Sequence, residues 1–198
     1  MPLATTLTPR NATLLATVAP RGGLLQALVC IVLGSLLLTA SAKVQVPFWP
    51  VPMTMQTLAV MVIGMAYGSR LAGGTVLFYL GQGVAGLPVF AGPAPGYTYI
   101  MGPTAGYLVG FAVAAVLIGW LAERGWDRSP VKALTAMAFG HAVVLALGVA
   151  WLSVLFGAEK AYAVGLAPFW AATLLKTLLG AAVMQAAWRV VRRRSAAS

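Results

Sequence analysis

A single lysine interrupts an apolar segment near the end of the chain. Residues 168–183 read PFWAATLLKTLLGAAV, and every residue around Lys176 is apolar or small. If this segment is a membrane helix that enters near Pro168, the ammonium group lies about 12 Å below that membrane surface. A charge at such a depth usually pairs with a carboxylate or lines a wet cavity. Lys176 is therefore the first candidate for a ligand-binding residue.

The next question is what neutralises Lys176. The chain has three acidic residues, Glu123, Asp127 and Glu159, and the sequence places all of them in loops. Glu159, on the outer side, could bend inward and form a structural ion pair with the lysine. Otherwise the counterion comes from outside the protein as an anionic ligand, most simply a carboxylate.

Three other polar residues fall within or beside apolar segments. Thr173 lies one helical turn before Lys176 on the same face, and its hydroxyl can donate or accept a hydrogen bond. His141, the only histidine, is expected to bond to a neighbouring helix, with a ligand site as the second interpretation. Gln56 either joins helices or reads a polar ligand group.

The composition requires a membrane environment for these residues. Of 198 residues, 61% are hydrophobic and 8% are charged, against roughly 25% charged in soluble domains. The net charge of +10 could indicate nucleic acid. However, the basic residues lie between apolar segments, so we attribute the excess to membrane topology and expect no nucleic-acid partner. A lone Cys30 excludes a disulfide framework.

Six apolar segments define the expected architecture. A span needs about 20 apolar residues, and a run from 53 to 87 is broken around Arg70 into two short helices. We therefore predict an all-α membrane protein with six transmembrane helices, at about 24–42, 53–67, 70–84, 104–122, 130–156 and 166–191. A single integral membrane domain then covers 1–198, with a polar cytoplasmic segment (1–22), the six-helix bundle (24–191) and a basic tail (192–198).

The distribution of charge predicts the orientation. With both termini in the cytoplasm, ten basic residues face inward and only Lys43 and Lys160 face outward, as the positive-inside rule requires. The inward residues are Arg10, Arg21, Arg70, Arg124, Arg128, Lys132, Arg189, Arg192, Arg193 and Arg194. The tryptophans then form two interfacial belts: Trp49, Trp151 and Trp170 outside, and Trp120, Trp126 and Trp188 inside.

Two outer loops stand out by composition. Residues 43–52 contain three prolines, which predict an extended, stiff segment. Residues 85–103 are uncharged and rich in glycine, proline and aromatic residues. Such a segment is either a rigid connector or a lid over an outward-facing pocket, and long loops of this kind are uncommon without a function.

Motifs for an energy source are missing from the sequence. There is no G-x-x-x-x-G-K-[ST], no H-E-x-x-H and no G-x-S-x-G with a later acid and histidine. Three acids in loops cannot form a proton relay through the membrane. This combination predicts a binding subunit that works with partners.

Four motifs together resemble a known family. VPFWPVPMTMQTLAV (46–60), GLPVFAGPAPG (86–96), GPTAGYLVGF (102–111) and PFWAATLLK (168–176) are similar in order and spacing to the BioY family, the biotin-binding S components of energy-coupling factor (ECF) transporters. The resemblance covers about 24–190. It implies capture of biotin from outside a bacterial inner membrane, no cofactor, and partnership with a transmembrane T component and two ABC-type ATPases.

The resemblance also implies roles for individual residues. Lys176 matches the lysine expected to bind the valerate carboxylate of biotin, whereas Thr173 stands where many members have an aspartate for the ureido nitrogens. Ala94 replaces a polar residue of some members, so Gln56, Thr173, Tyr97 or loop carbonyls could supply the ureido contacts. The candidate ligand-binding residues are Lys176, Thr173, Gln56, Phe90, Gly92 and Tyr97.

Small residues on the first helix form a second candidate surface. Cys30 with Gly34, and Ser35 with Thr39, are spaced four residues apart and allow close helix approach. The resemblance implies that Gly34, Ser35 and Thr39 contact the T component, although internal packing explains the spacing equally well.

A function of another class stays open at this stage. A small polytopic membrane enzyme could act on a lipid or anionic substrate through Lys176 and His141. The sequence offers no carboxylate or nucleophile–base pair at a suitable spacing for it, so we expect no enzyme activity.

Overall fold

Helices make up most of the structure, a computed structural model that describes residues 12–20, 23–47, 49–92 and 96–197. Residues 195–197 are described by their backbone only. In chain order the elements are α1 (Leu14–Val18), α2 (Leu24–Lys43), β1 (Gln45–Val46), β2 (Met53–Thr54), α3 (Gln56–Tyr67), α4 (Ser69–Val84), α5 (Gly96–Ile100), α6 (Ala105–Ala122), a 3₁₀ turn (Trp126–Arg128), α7 (Pro130–Phe156), α8 (Ala158–Gly165) and α9 (Trp170–Ala197).

Each of the six predicted segments corresponds to one of the longer helices, with boundaries that differ by a few residues. Helix α9 begins at Trp170 rather than at about 166. Helix α3 begins at Gln56 rather than at about 53, because Met53 and Thr54 pair antiparallel with Val46 and Gln45. The all-α prediction missed this hairpin. It also missed α1, which Thr13 caps by accepting a hydrogen bond from the backbone of Ala16, whereas Arg10 and Arg21 lie outside the described residues.

Four of the described helices are long and apolar enough to cross a membrane: Leu24–Lys43, Ala105–Ala122, Pro130–Phe156 and Trp170–Arg194. The helices α3 and α4 have only 12 and 16 residues and form a pair joined at Gly68, whose φ of 86° lies in the region that glycine tolerates. Glu123 Oε1 accepts hydrogen bonds from Ser69 N (2.7 Å) and Ser69 Oγ (2.8 Å) at the start of α4.

Close contact between α6 and α7 depends on glycine. A Cβ at Gly110 would lie 2.9 Å from the Cα of Val144, and a Cβ at Gly148 would lie 2.4 Å from the ring of Tyr107. These two positions let the helix axes approach and leave room for the Tyr107 ring between them. The approach of α6 and α7 thereby determines the positions of Tyr107 and Val144, which line the cavity described below.

The small residues of α2 face the interior of the subunit. Gly34 is buried, and a Cβ there would lie 2.6 Å from Thr75 Cγ2 on α4. Ser35 is 1% exposed and donates a hydrogen bond to Gln82 Oε1, while Thr39 donates to the backbone oxygen of Ser35 within its own helix. The structure thus supports internal packing for Gly34 and Ser35, whereas a contact of these residues with a T component stays a prediction.

The C-terminal half of α9 is fixed by the 3₁₀ turn. Buried Asp127 accepts a hydrogen bond from Trp188 Nε1 at 2.9 Å, and its backbone oxygen accepts one from Gln185 Nε2 at 3.0 Å. Burial raises the pKa of the Asp127 carboxyl to about 6, against the lowering effects of Trp188 and Arg128. These contacts hold the register of the helix that carries Lys176.

Candidate functional site

A narrow cavity, called the inner cavity below, lies among α3, α6, α7 and α9. Water molecules could occupy about 40 Å³ of it, room for a few waters. Its lining combines polar side chains with aromatic and aliphatic ones: Val51, Pro52, Thr54, Gln56, Thr57, Tyr99, Thr104, Tyr107, Leu108, Phe111, His141, Val144, Leu145, Phe169, Thr173 and Lys176.

Lys176 supplies the charge of this cavity. Its side chain is 8% exposed, and Nζ donates to the backbone oxygen of Thr54 at 2.6 Å and to Thr57 Oγ1 at 3.4 Å. No carboxylate pairs with it among the described residues, and Glu159 is exposed on α8. The alternative of a structural ion pair between Lys176 and an inward-bent Glu159 is therefore wrong. The ammonium group donates its hydrogen bonds to neutral oxygens instead.

Gln56 belongs to a hydrogen-bond network around the start of α3. Its Nε2 donates to Tyr79 Oη at 2.7 Å, and its Oε1 accepts from Thr54 Oγ1 at 3.2 Å. Tyr79 Oη in turn donates to the backbone oxygen of Val89 at 3.0 Å. Gln56 lines the cavity, but its amide joins α3 to α4, which matches the first of its two interpretations.

His141 bonds to the neighbouring helix, as the first interpretation of the sequence held. Its Nδ1 lies 3.0 Å from the backbone oxygen of Met137 and 3.0 Å from Thr177 Oγ1 on α9. The ring is 2% exposed and also lines the cavity. His141 can therefore bond to a neighbouring helix through Nδ1 and still lie at a ligand site.

Aromatic rings form the apolar part of the lining, and the sequence analysis did not single them out as candidates. Tyr107 and Phe169 lie 6.2 Å apart between ring centroids, and Tyr107 Oη donates to the backbone oxygen of Gly165 at 2.7 Å. Phe111 continues this wall from α6. Such a surface suits the flat apolar part of a ligand whose charged end reaches Lys176.

A second cavity lies between the loops 43–52 and 85–103; it is called the outer cavity here and has a volume of about 580 Å³. Pro52, Tyr99 and Thr104 line both cavities, so they form the partition between them. Phe90 stacks on Tyr99 with 4.9 Å between ring centroids and supports the partition from behind. Burial raises the pKa of Tyr99 to about 12, so its hydroxyl is neutral.

The predicted ligand-binding residues fall into three groups. Lys176, Thr173 and Gln56 meet at the inner cavity. Gly92 lines the outer cavity, and Phe90 lies behind the partition, where its backbone oxygen accepts a hydrogen bond from Lys43 at 2.7 Å. Tyr97 is 66% exposed and lines neither cavity. Ala94 lies outside the described residues.

The fold and the cavity are those of a polytopic membrane protein with a buried cation in the wall of a cavity. The model of the BioY family matches residues 9–193, and the chain belongs to this family.

Relatives agree with this assignment, and a solved structure has a similar fold. A probable biotin transporter BioY of Pyrococcus horikoshii is 35% identical over 133 residues, 67% of this chain and 78% of the relative. The biotin transporter BioY of Thermotoga maritima is 34% identical over 148 residues, 74% of this chain and 86% of the relative. The fold is similar to the crystal structure of the S-component for biotin from an ECF-type ABC transporter, with a TM-score of 0.73 at 21% identity, covering 83% of this chain and 92% of that one.

Proposed function

We propose that this chain is the substrate-binding subunit of a biotin uptake transporter of the ECF type. Family membership and the names of the relatives support a biotin transporter rather than the alternative of a small membrane enzyme. The observation that carries the proposal within the chain is the buried Lys176 ammonium, whose partners among the described residues are neutral oxygens.

Biotin matches the chemistry of the inner cavity. A lysine ammonium has three donors, and Thr54 and Thr57 accept from two of them, which leaves one for the valerate carboxylate. The bicyclic ring then lies against the wall of Tyr107, Phe111 and Phe169. Because the cavity is narrow, we infer that the partition around Tyr99 moves when biotin enters from the outer cavity.

The proposed topology places six membrane segments in a bacterial inner membrane as one domain, with both termini in the cytoplasm. The ten-to-two distribution of basic residues supports this orientation. The short helices α3 and α4 count as two of these segments, and the turn at Gly68 connects them. A transmembrane T component and two ABC-type ATPases would supply the energy, since the sequence contains no nucleotide-binding loop.

The function is tested by titrating the purified full-length chain with biotin. We expect saturable binding of one biotin per chain, recovered chemically unaltered after release. A lipid-modifying or hydrolytic enzyme would instead leave biotin unbound or return a changed product. Absence of saturable binding to a folded sample would refute the proposed function.

The orientation is tested by cysteine labelling in a Cys30→Ala background. Tyr97→Cys, exposed in the second outer loop, is expected to react with a membrane-impermeant maleimide before the inner membrane is permeabilised. Arg124→Cys, exposed between α6 and α7, is the matched inner position and is expected to react only afterwards. The reverse order at the two positions would show that the bundle is inverted.

A further inference from the structure

The two ring nitrogens of the single histidine differ in their contacts within the described part of the chain. His141 Nε2 is buried in the cavity wall without a hydrogen-bond partner among the described residues. Buried polar atoms are normally satisfied, and an unsatisfied one calls for a specific explanation. The ring is held firmly at its other nitrogen, so Nε2 has a defined position at the cavity.

The contacts of Nδ1 determine what Nε2 can do. The backbone oxygen of Met137, 3.0 Å from Nδ1, can only accept a hydrogen bond, so Nδ1 carries the proton. Thr177 Oγ1 donates its own proton to the backbone oxygen of Thr173 at 2.8 Å and is therefore an acceptor toward Nδ1 as well. In the neutral ring Nε2 is then a pure acceptor.

The surroundings favour the neutral ring. Lys176 lines the same cavity and directly precedes Thr177, the residue that contacts His141. A second positive charge beside that ammonium, in a buried site, is unfavourable. The cavity thus presents two different polar groups, a cation at Lys176 that takes an anion and an acceptor at His141 that takes a ligand N–H or O–H.

We propose that His141 is a ligand-contacting residue that accepts a hydrogen bond from a ureido N–H of biotin through Nε2. This rests on the proposed function, because biotin combines a carboxylate with N–H donors and its ureido nitrogens are the only such donors. The carboxylate cannot bind to Nε2, because both groups are hydrogen-bond acceptors. His141 thereby selects for the ureido ring, while Lys176 selects for the acid.

Two substitutions separate the roles of the ring nitrogens. In His141→Asn the amide can still donate to Met137 at the position of Nδ1, but the acceptor at the position of Nε2 is lost. In His141→Gln an amide oxygen reaches the position of Nε2. We expect His141→Asn to weaken biotin binding by about 5- to 150-fold, the effect of leaving one ligand donor unpaired, and His141→Gln to retain most of the affinity.

The wild-type protein provides an independent measurement. Because the chain has one histidine, ¹⁵N-histidine labelling gives a single pair of ring resonances. We expect the Nε2 resonance to move upfield when biotin saturates the site, because an acceptor nitrogen shifts upfield when it accepts a hydrogen bond. Biotin amide keeps the ureido group and should move the resonance in the same direction.

The outcomes distinguish this inference from the proposed function. If wild-type protein does not bind biotin, the function itself fails. If biotin binds but the Nε2 resonance stays in place, or if His141→Asn binds as tightly as wild type, the role of His141 is refuted. Equal losses in His141→Asn and His141→Gln with lowered thermal stability would likewise assign the ring to packing alone.

Discussion

Replacing Lys176 by alanine is expected to weaken biotin binding by about 30- to 5,000-fold. Truncating one member of a buried charge pair costs about 2–5 kcal/mol, and 1.4 kcal/mol corresponds to a factor of ten. Lys176 is 8% exposed and donates to Thr54 and Thr57, so a ligand carboxylate there is well shielded from water. The fold should survive, because the lysine has no charged partner within the described residues.

A two-by-two titration isolates the pairing of the lysine with the carboxylate. Wild type and Lys176→Ala are each titrated with biotin and with biotin amide, which lacks the negative charge. We expect the amide to bind wild type weakly and to be almost indifferent to the mutation, so that the two losses are strongly coupled. Losses that simply add would refute the assignment of Lys176 to the carboxylate.

A matched control removes the effect of net charge. Lys132→Ala deletes one exposed positive charge from the start of α7, far from the cavity lining. We expect it to bind both ligands like wild type. A loss for biotin in this variant comparable to that of Lys176→Ala would mean that the affinity depends on the overall charge of the protein.

The position of Lys176 could be predicted because a charge in an apolar segment is conspicuous in any sequence. Hydropathy also located the six longer helices, since a membrane helix must satisfy its backbone internally and is apolar over its length. The same argument predicted that Lys176 needs a counterion from elsewhere. The argument could not predict that Thr54 and Thr57 accept hydrogen bonds from Lys176, because these contacts depend on the hairpin before α3.

The sequence does not indicate which face of each helix is buried, for a physical reason. Lipid is as apolar as a protein core, so lipid-facing and buried positions have similar composition. On α2, Leu33 and Leu36 are exposed whereas Leu38 is fully buried, and nothing in their identity tells them apart. The spacing of the small residues Gly34 and Ser35 is therefore compatible with a partner surface as well as with internal packing, and the structure shows that they pack against α4.

The same limit applies to the loop and wall residues of the site. Tyr97 and Tyr99 are two residues apart in one uncharged loop, yet Tyr97 is exposed and Tyr99 forms the partition. Their difference arises from the short helix α5, which turns them to different sides. The free acceptor of His141 required the positions of Met137 and Thr177, which only the packed helices α7 and α9 provide.

Gly106→Leu is expected to damage the cavity by separating its two walls. A Cβ at Gly106 would lie 2.3 Å from the backbone oxygen of Leu147 and 2.6 Å from Trp151 Cβ, so α6 must move away from α7. Overpacking of this kind costs about 1–3 kcal/mol, and contacts with backbone leave little room for relief. The shift occurs next to Tyr107, so the aromatic wall moves with the helix.

The measurements are thermal stability and affinity for both ligands. We expect Gly106→Leu to unfold at a lower temperature and to lose affinity for biotin and biotin amide by similar factors, because the wall contacts the ring that both ligands share. This pattern differs from that of Lys176→Ala, which spares the amide and the stability. Gly81→Leu, on the exposed side of α4 with no atom within 4 Å of its Cβ, is the matched control and should behave like wild type. Wild-type stability and binding in Gly106→Leu would contradict the close approach of α6 and α7 on which the geometry of the site depends.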